Sequence, residues 1–237
     1  MEEEMAIYAI SDLHLSFSTD KPMNIFGTIW ENYEEKIKEN WINKITDDDL
    51  VLLPGDFSWA MYLKDTVKDF EYLSKLPGKK LLLKGNHDYW WTTLTSMRNF
   101  LKDNKFENID FIYNNSYEYE GNIIVGTRGW ILSDNSEDKR LVKRELLRLE
   151  LSIQDGIKKY GNEKPIIVCM HYPPVLKNSN YGKTEFTEVM KKYNVKKCIY
   201  GHLHGTSQKD VVEGIIEGID YKMVSCDYTK FELIRII

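Results

Sequence analysis

The chain contains five histidines, His14, His87, His171, His202 and His204, and each stands at the end of an apolar run of strand length. Four of the five, all but His171, also have Asp, Asn or a second His beside the imidazole. In Gly85-Asn86-His87-Asp88 an amide oxygen that can ligate a metal, an imidazole that can move a proton and a carboxylate that can orient the imidazole are consecutive. Taken alone, that tetrapeptide also reads as a turn with Asp88 capping a helix. Asp12-Leu13-His14 follows another apolar run, and the period of two in an extended chain puts Asp12 and His14 on one face. Pro54-Gly55-Asp56 sets a third carboxylate at a strand tip, where glycine permits close approach of backbone. His171 and Gly201-His202-Leu203-His204 complete the set. Core or surface histidines would also fall in helices and loops, so five at strand ends imply one shared site.

Asp12, Asp56, the Asn86 amide and several imidazoles, with no thiolate among them, are mixed oxygen and nitrogen donors. Such donors suit Mn, Fe, Zn or Co rather than Ca or a structural cysteine zinc site, and there are enough of them for two ions. Two divalent ions against two carboxylates leave a positive centre, which attracts phosphate.

The elements that must position these residues alternate between strand and helix in the first half. Strands are expected at Met5 to Ser11, at Leu50 to Leu53 and at Leu81-Leu82-Leu83 within the stretch Lys79 to Asp88. Helices are expected from about Thr28 to Ile45, Lys64 to Leu76 and Trp90 to Lys102, each with an apolar stripe at spacings of three and four. The middle changes to short strands and turns at Ile109 to Tyr113, Tyr117 to Tyr119 and Asn122 to Gly126. A long helix over Ser136 to Tyr160 follows, with a solvated charged face. A strand over Pro165 to Met170, a helix over Thr184 to Tyr193, a strand over Lys196 to Tyr200 and antiparallel strands in the tail complete the chain. The pattern is α/β, in one domain spanning residues 1–237, with no linker or repeat.

The net charge of -5 and the lack of a basic stripe argue against a nucleic acid polymer as partner and leave small anionic substrates open. The start, Met1-Glu2-Glu3-Glu4, has neither the basic nor the apolar region of a signal peptide, and no apolar run reaches the roughly 20 residues of a membrane span. Cys169, Cys198 and Cys226 are odd in number and lie in strand-like runs, as buried reduced thiols of a cytoplasmic protein would.

Asp12-x-His14, Gly55-Asp56, Gly85-Asn86-His87-Asp88, His171 and Gly201-His202-x-His204, in this order and each behind a strand, resemble the calcineurin-like metallophosphoesterase family. The resemblance spans nearly the whole chain. It implies a four-layer αββα sandwich of two mixed sheets with a dinuclear metal site at the carboxyl ends of strands. It implies that Asp12, His14 and His204 hold one ion, that Asn86, His171 and His202 hold the other, and that Asp56 bridges them. His87 is then a proton donor to the leaving group, with Asp88 as the acidic partner that orients it. The implied reaction is attack of a metal-bridging hydroxide on a phosphomonoester or phosphodiester, with Mn, Fe or Zn as the ions.

The other reading is a catalytically silent scaffold of the same fold that binds protein. Retention of His87 and of every expected ligand ranks it second. Arg128, between small residues at a strand end, could clamp a phosphate or serve an ordinary ion pair. Trp59, Trp90, Trp91 and Trp130 lie close to site segments and could form an aromatic wall, with core packing expected for at least two. Lys177, Asn178, Asn180 and Lys183, in the loop from Pro173, could touch substrate. A small phosphoester is the expected substrate, with a phosphoprotein still open.

Overall fold

The computed structural model describes residues 5–175, 177 and 183–237. The acidic start and the loop residues Asn178 and Asn180 lie outside the described residues.

Four parallel strands, β1 (Ile7–Ala9), β2 (Leu50–Leu53), β3 (Lys79–Leu83) and β4 (Ile109–Ile112), form one sheet, with the last strand, β11 (Ile234–Arg235), added antiparallel beside β1. The second sheet runs β5 (Tyr117–Tyr119), β6 (Asn122–Thr127), β7 (Ile166–Met170), β8 (Lys197–Tyr200), β10 (Ile219–Met223), β9 (Gly214–Ile216), parallel in its four central strands and antiparallel at both edges. The tail is therefore not wholly antiparallel: β9 and β10 form a hairpin, but β10 lies parallel to β8.

Alternation along each strand sorts side chains into three apolar layers. Leu50, Leu52, Leu81, Leu83, Ile167, Cys169 and Ile199 meet between the two sheets. Their neighbours Val51, Leu53 and Leu82 point outward to the helices α1 (Tyr33–Lys44), α2 (Val67–Ser74) and α3 (Leu94–Asp103). On the far side Val168, Met170, Cys198 and Tyr200 pack under α4 (Ser136–Tyr160) and α5 (Glu185–Lys192). The result is the expected four-layer αββα sandwich.

Several helix ends differ from the sequence pattern, for local reasons. The stretch before α1 breaks into two 3-10 turns, Met23–Phe26 and Thr28–Trp30, because Gly27 turns the chain at φ 132° and Asn32 is left-handed at φ 51°. Trp90 and Trp91 do not begin α3. The helix starts after Thr93, whose side chain accepts a hydrogen bond from Ser96 N at 3.2 Å, while both tryptophans are buried beside Phe111 in the core. The charged face of α4 holds one exception, Glu145, whose fully buried carboxylate accepts from Thr127 Oγ1 at 2.7 Å and pairs with Arg144 and Arg148 at 2.9 Å.

At the carboxyl ends of the strands the two sheets are tied together. Ser11, just past β1, bridges Ser225, just past β10, with Ser11 N donating to Val224 O at 2.8 Å and Cys226 N to Ser11 O at 3.0 Å. Loops from both sheets thereby converge on one place, outside strand ends, where open α/β sheets bind ligands. Among the described residues no helix is long and apolar enough to cross a membrane.

Candidate active site

All five histidines, with Asp12, Asp56 and Asn86, leave the carboxyl ends of β1, β2, β3, β7 and β8. Their backbones are unusual. Asp12, His14, Asp56 and His202 have positive φ, at 60°, 46°, 52° and 77°, a region costly for residues with a Cβ. The pleat of an extended strand therefore does not bring Asp12 and His14 together, as the sequence spacing suggests. β1 ends at Ala9, and two left-handed residues on a tight turn aim both side chains inward.

Backbone crowding makes glycine obligatory at two of these turns. A Cβ on Gly85 would stand 2.0 Å from Asp56 Oδ1, and one on Gly201 would stand 2.4 Å from Asp12 Oδ2. Each glycine lets a neighbouring strand end deliver its side chain against a carboxylate.

The site divides into two overlapping groups. Ligand atoms of Asp12, His14 and His204 lie within 4.8 Å of one another, and so do those of Asp12, Asp56 and His171. Asp56 Oδ1 accepts from His87 N at 2.8 Å, while Oδ2 faces His14 Nε2 at 3.8 Å and His171 Nε2 at 3.5 Å, so one carboxylate oxygen stands between the two groups. Asn86 Oδ1 lies 2.6 Å and His202 Nδ1 3.2 Å from His171 Nε2. The structure thus brings together all seven expected ligands.

Other contacts fix which atoms face inward. His171 Nδ1 lies 3.0 Å from Pro54 O, which leaves Nε2 toward Asn86 and Asp56. His204 Nδ1 lies 2.8 Å from Asp227 Oδ1, and its Nε2 faces Asp12 Oδ1 at 3.3 Å without hydrogen-bond geometry. Asp12 Oδ2 accepts from Ser11 Oγ, from Ser225 Oγ at 2.8 Å and from His202 N at 3.1 Å. His14 O accepts from Tyr33 Oη at 2.8 Å, which holds the first turn against α1.

The electrostatics follow from burial and from the charges packed together at the strand ends. Burial raises the Asp56 carboxyl well above the usual range, and the Asp12 and Asp88 carboxylates beside it push the same way. Burial opposes ionisation of Asp12 too, but the close His204 ring and the charges of His204, His171 and His14 carry it below the usual range. Burial lowers His14 well below its ordinary value, His171 to about 3 and His202 to about 4, so these imidazoles are neutral, the form that ligates metals. His204 is held up at about 10, because Asp12 and Asp227 outweigh its burial. His14 Nδ1 and His204 Nε2 are buried without a hydrogen-bond partner. Two buried, partnerless ring nitrogens beside two crowded carboxylates fit cations of the transition series.

Around these residues one expectation is revised. Asp88 neither caps a helix nor orients the His87 imidazole. Its buried Oδ1 accepts from Phe57 N, Ser58 N and Trp90 Nε1 at 2.9, 3.3 and 2.9 Å, and Oδ2 from Asp56 N and Gly85 N at 2.9 and 2.7 Å. It clamps the turn carrying Asp56 to the turn carrying Asn86. Arg128 contributes its carbonyl, which accepts from His171 N and Tyr172 N at 3.2 and 2.9 Å, while its guanidinium lies 4.5 Å from the centre of the Trp130 ring. Of the four tryptophans, Trp90 and Trp91 are core and Trp130 packs on Tyr172; only Trp59 reaches the site, stacked on His14 at 4.7 Å and tilted against His87 at 4.6 Å.

The sequence reading passed over Asp227, Ser11, Ser225 and Trp30. Asp227 had a signal: it is a carboxylate just past the strand ending at Met223, the same placement as Asp12 and Asp56. The serines and Trp30 carried none, since only contact with distant segments gives them a place here.

In fold the chain is similar to the phosphopantetheinyl hydrolase of Mycobacterium tuberculosis, with a TM-score of 0.59 at 13% identity over 99% of this chain and 96% of that one. It is also similar to a protein of unknown function from Aquifex aeolicus, with a TM-score of 0.51 at 17% identity over 98% and 96%. A Thermus thermophilus protein gives a TM-score of 0.56 at 16% identity over 98% and 97%. Among curated proteins none matches the sequence. Residues 5–206 match the family described as calcineurin-like phosphoesterase, and that span takes in all seven clustered residues and His87. The chain belongs to the calcineurin-like phosphoesterase family.

Proposed function

We propose that the protein is a metal-dependent phosphoesterase that hydrolyses a small phosphomonoester or phosphodiester. The observation that carries this reading is the convergence of Asp12, His14, Asp56, Asn86, His171, His202 and His204, with two buried ring nitrogens left partnerless. Asp12, His14 and His204 would hold one ion and Asn86, His171 and His202 a second, with Asp56 serving both. Bound there, two Mn, Fe or Zn ions supply Lewis acidity toward the phosphoryl oxygens and lower the pKa of water.

The chain's own residues do the rest. Asp12, held by Ser11, Ser225 and His202 N, keeps a negative charge buried at the centre. Asp227 and the Pro54 carbonyl set the ring orientation of His204 and His171. His87, half-buried and tethered through its backbone N–H to Asp56, gives a proton to the departing oxygen. A small organic substrate accords with the resemblance in fold to a phosphopantetheinyl hydrolase. Cys169, Cys198 and Cys226 are free and buried, as a reducing cytoplasm requires.

The test is hydrolysis of bis(p-nitrophenyl) phosphate and p-nitrophenyl phosphate by protein stripped of metal and reloaded with Mn. Turnover that vanishes on stripping and returns on reloading is expected. Failure on both esters, with bound Mn measured, would overturn the reading in favour of a silent scaffold.

A further inference from the structure

Beside the clustered Asp and His side chains lies a cavity of about 370 Å³, walled on one side by His14, His87, His204 and the Asp227 paired with it, and on the others mainly by Met23, Phe26, Ile29, Trp30 and Trp59. At that size it falls at the small end of ligand pockets, enough for a group of one or two rings. Most of the apolar wall comes from the two 3-10 turns ahead of α1, Met23–Phe26 and Thr28–Trp30, of which the sequence pattern assigns only the second to the helix. Phe26 and Ile29 are 64% and 44% exposed, although the chain holds ample core in which to bury such side chains. Large apolar groups left in water around a concavity mark a binding surface. Trp59 joins the two halves: its ring is part of the wall and also packs on His14 and His87.

We propose that this cavity receives the alcohol portion of the substrate, and that the substrate is a phosphoester of an apolar, aryl or aliphatic alcohol. The assignment rests on the phosphoesterase reading and extends it through the position of His87. In the reaction water forms the new bond to phosphorus, the bond from phosphorus to the alcohol oxygen breaks, and the electron pair leaves with that oxygen. His87 delivers the proton that makes it an alcohol, and the proton lost by the water returns His87 to its starting state through solvent. The group that departs is therefore next to the His87 ring, and the space next to that ring is the apolar cavity. A sugar or polyol there would leave hydroxyls facing Trp30, Trp59 and Ile29 without partners, at a cost for each buried group.

Two esters and one double variant test this. With Mn-loaded protein, kcat/KM is measured for 1-naphthyl phosphate and glycerol 1-phosphate, and again after Phe26→Asp with Ile29→Asp, both exposed positions that the fold does not need. The naphthyl to glycerol ratio is expected to fall at least tenfold in the variant, which cancels the intrinsic difference between the leaving groups. In parallel, 1-naphthylphosphonate, which cannot be hydrolysed, is expected to quench tryptophan fluorescence in the wild type and to bind at least tenfold more weakly to the variant. An unchanged ratio with unchanged phosphonate binding would overturn the cavity assignment while leaving the phosphoesterase intact. Absence of turnover on every ester with Mn bound would overturn the phosphoesterase reading and the substrate class with it.

Discussion

Nδ1 of His204 lies 2.8 Å from Oδ1 of Asp227, and the other oxygen of that carboxylate accepts from Gln208 Nε2 at 2.8 Å. The pair turns the remaining ring nitrogen of His204 toward Asp12 and fixes it there. Partners of this kind raise the basicity of a ligating imidazole and hold its orientation, and their loss typically costs roughly 10- to 100-fold in metal affinity. Asp227→Asn is accordingly expected to weaken Mn binding by that order, read by calorimetric titration of stripped protein, with no change in fold by circular dichroism. Wild-type affinity in the variant would remove Asp227 from the site.

Asp88 accepts five hydrogen bonds inside the protein, four from backbone N–H groups of the turns that carry Asp56 and Asn86. Hydrogen bonds to a charged group contribute about 1.5–3 kcal/mol each, and the donors left behind would be buried. Asp88→Ala is expected to lower the unfolding free energy by at least about 3 kcal/mol in urea and to weaken metal binding together with it. A stable variant that loses only turnover would instead put Asp88 in the proton transfer.

His87 hangs from Asp56 by its backbone and offers the cluster no ring nitrogen, so His87→Ala is expected to keep its metal. An alkoxide needs a proton in order to leave, and a nitrophenolate does not. Hydrolysis of alkyl esters is therefore expected to fall by a factor of about 10²–10⁴, within the usual range for general acid catalysis, and that of nitrophenyl esters by much less. Equal losses on both would deny His87 the role of acid.

Lys80 lies on the helix-facing side of β3, 1% exposed, with its ammonium donating to Leu76 O and lying 6.0 Å from the Trp41 ring. Burial brings its pKa down to about 7 from 10.5, against a weaker opposing pull from Asp47. Below pH 7 both native and unfolded states carry the proton, and the fold bears the full cost of a buried cation. Between about 7 and 10.5 the native state sheds it first, so stability rises with pH by up to roughly 1.4 kcal/mol per unit. Lys80→Met lacks this term, and the stability of the wild type relative to the variant should climb across that window in urea titrations at pH 6.5, 8 and 9.5. Parallel curves would show that Lys80 keeps its proton in the native state across that window, its ammonium solvated.

The clustered residues were legible in the linear chain because the chemistry they can carry is set by residue type at strand ends. Asp12, Asp56, Asn86 and the histidines each follow a short apolar run, and a run that stops at a carboxylate or an imidazole is visible without any partner. The alternation of those runs with apolar stripes likewise announced the α/β layering. What the spacing could not convey was backbone conformation. Asp12 and His14 point together because both are left-handed, and that strain persists only because Ser225, Cys226 and Tyr33, from distant segments, hold the turn in place.

Tertiary structure alone decided the rest. Asp88 reads as a helix cap or a partner of His87 from its neighbours in sequence, yet its donors come from residues about 30 positions away as well as from its own turn. Trp90 and Trp91 differ from Trp59 only in where the fold puts them, two in the core and one against His14 and His87. The apolar cavity is the clearest case, because it joins turns near residues 23–30, a tryptophan past β2 and histidines from three other strand ends. Residue types and local periodicity determine which chemistry a chain can perform; the distances that select its substrate come from segments that meet only after folding.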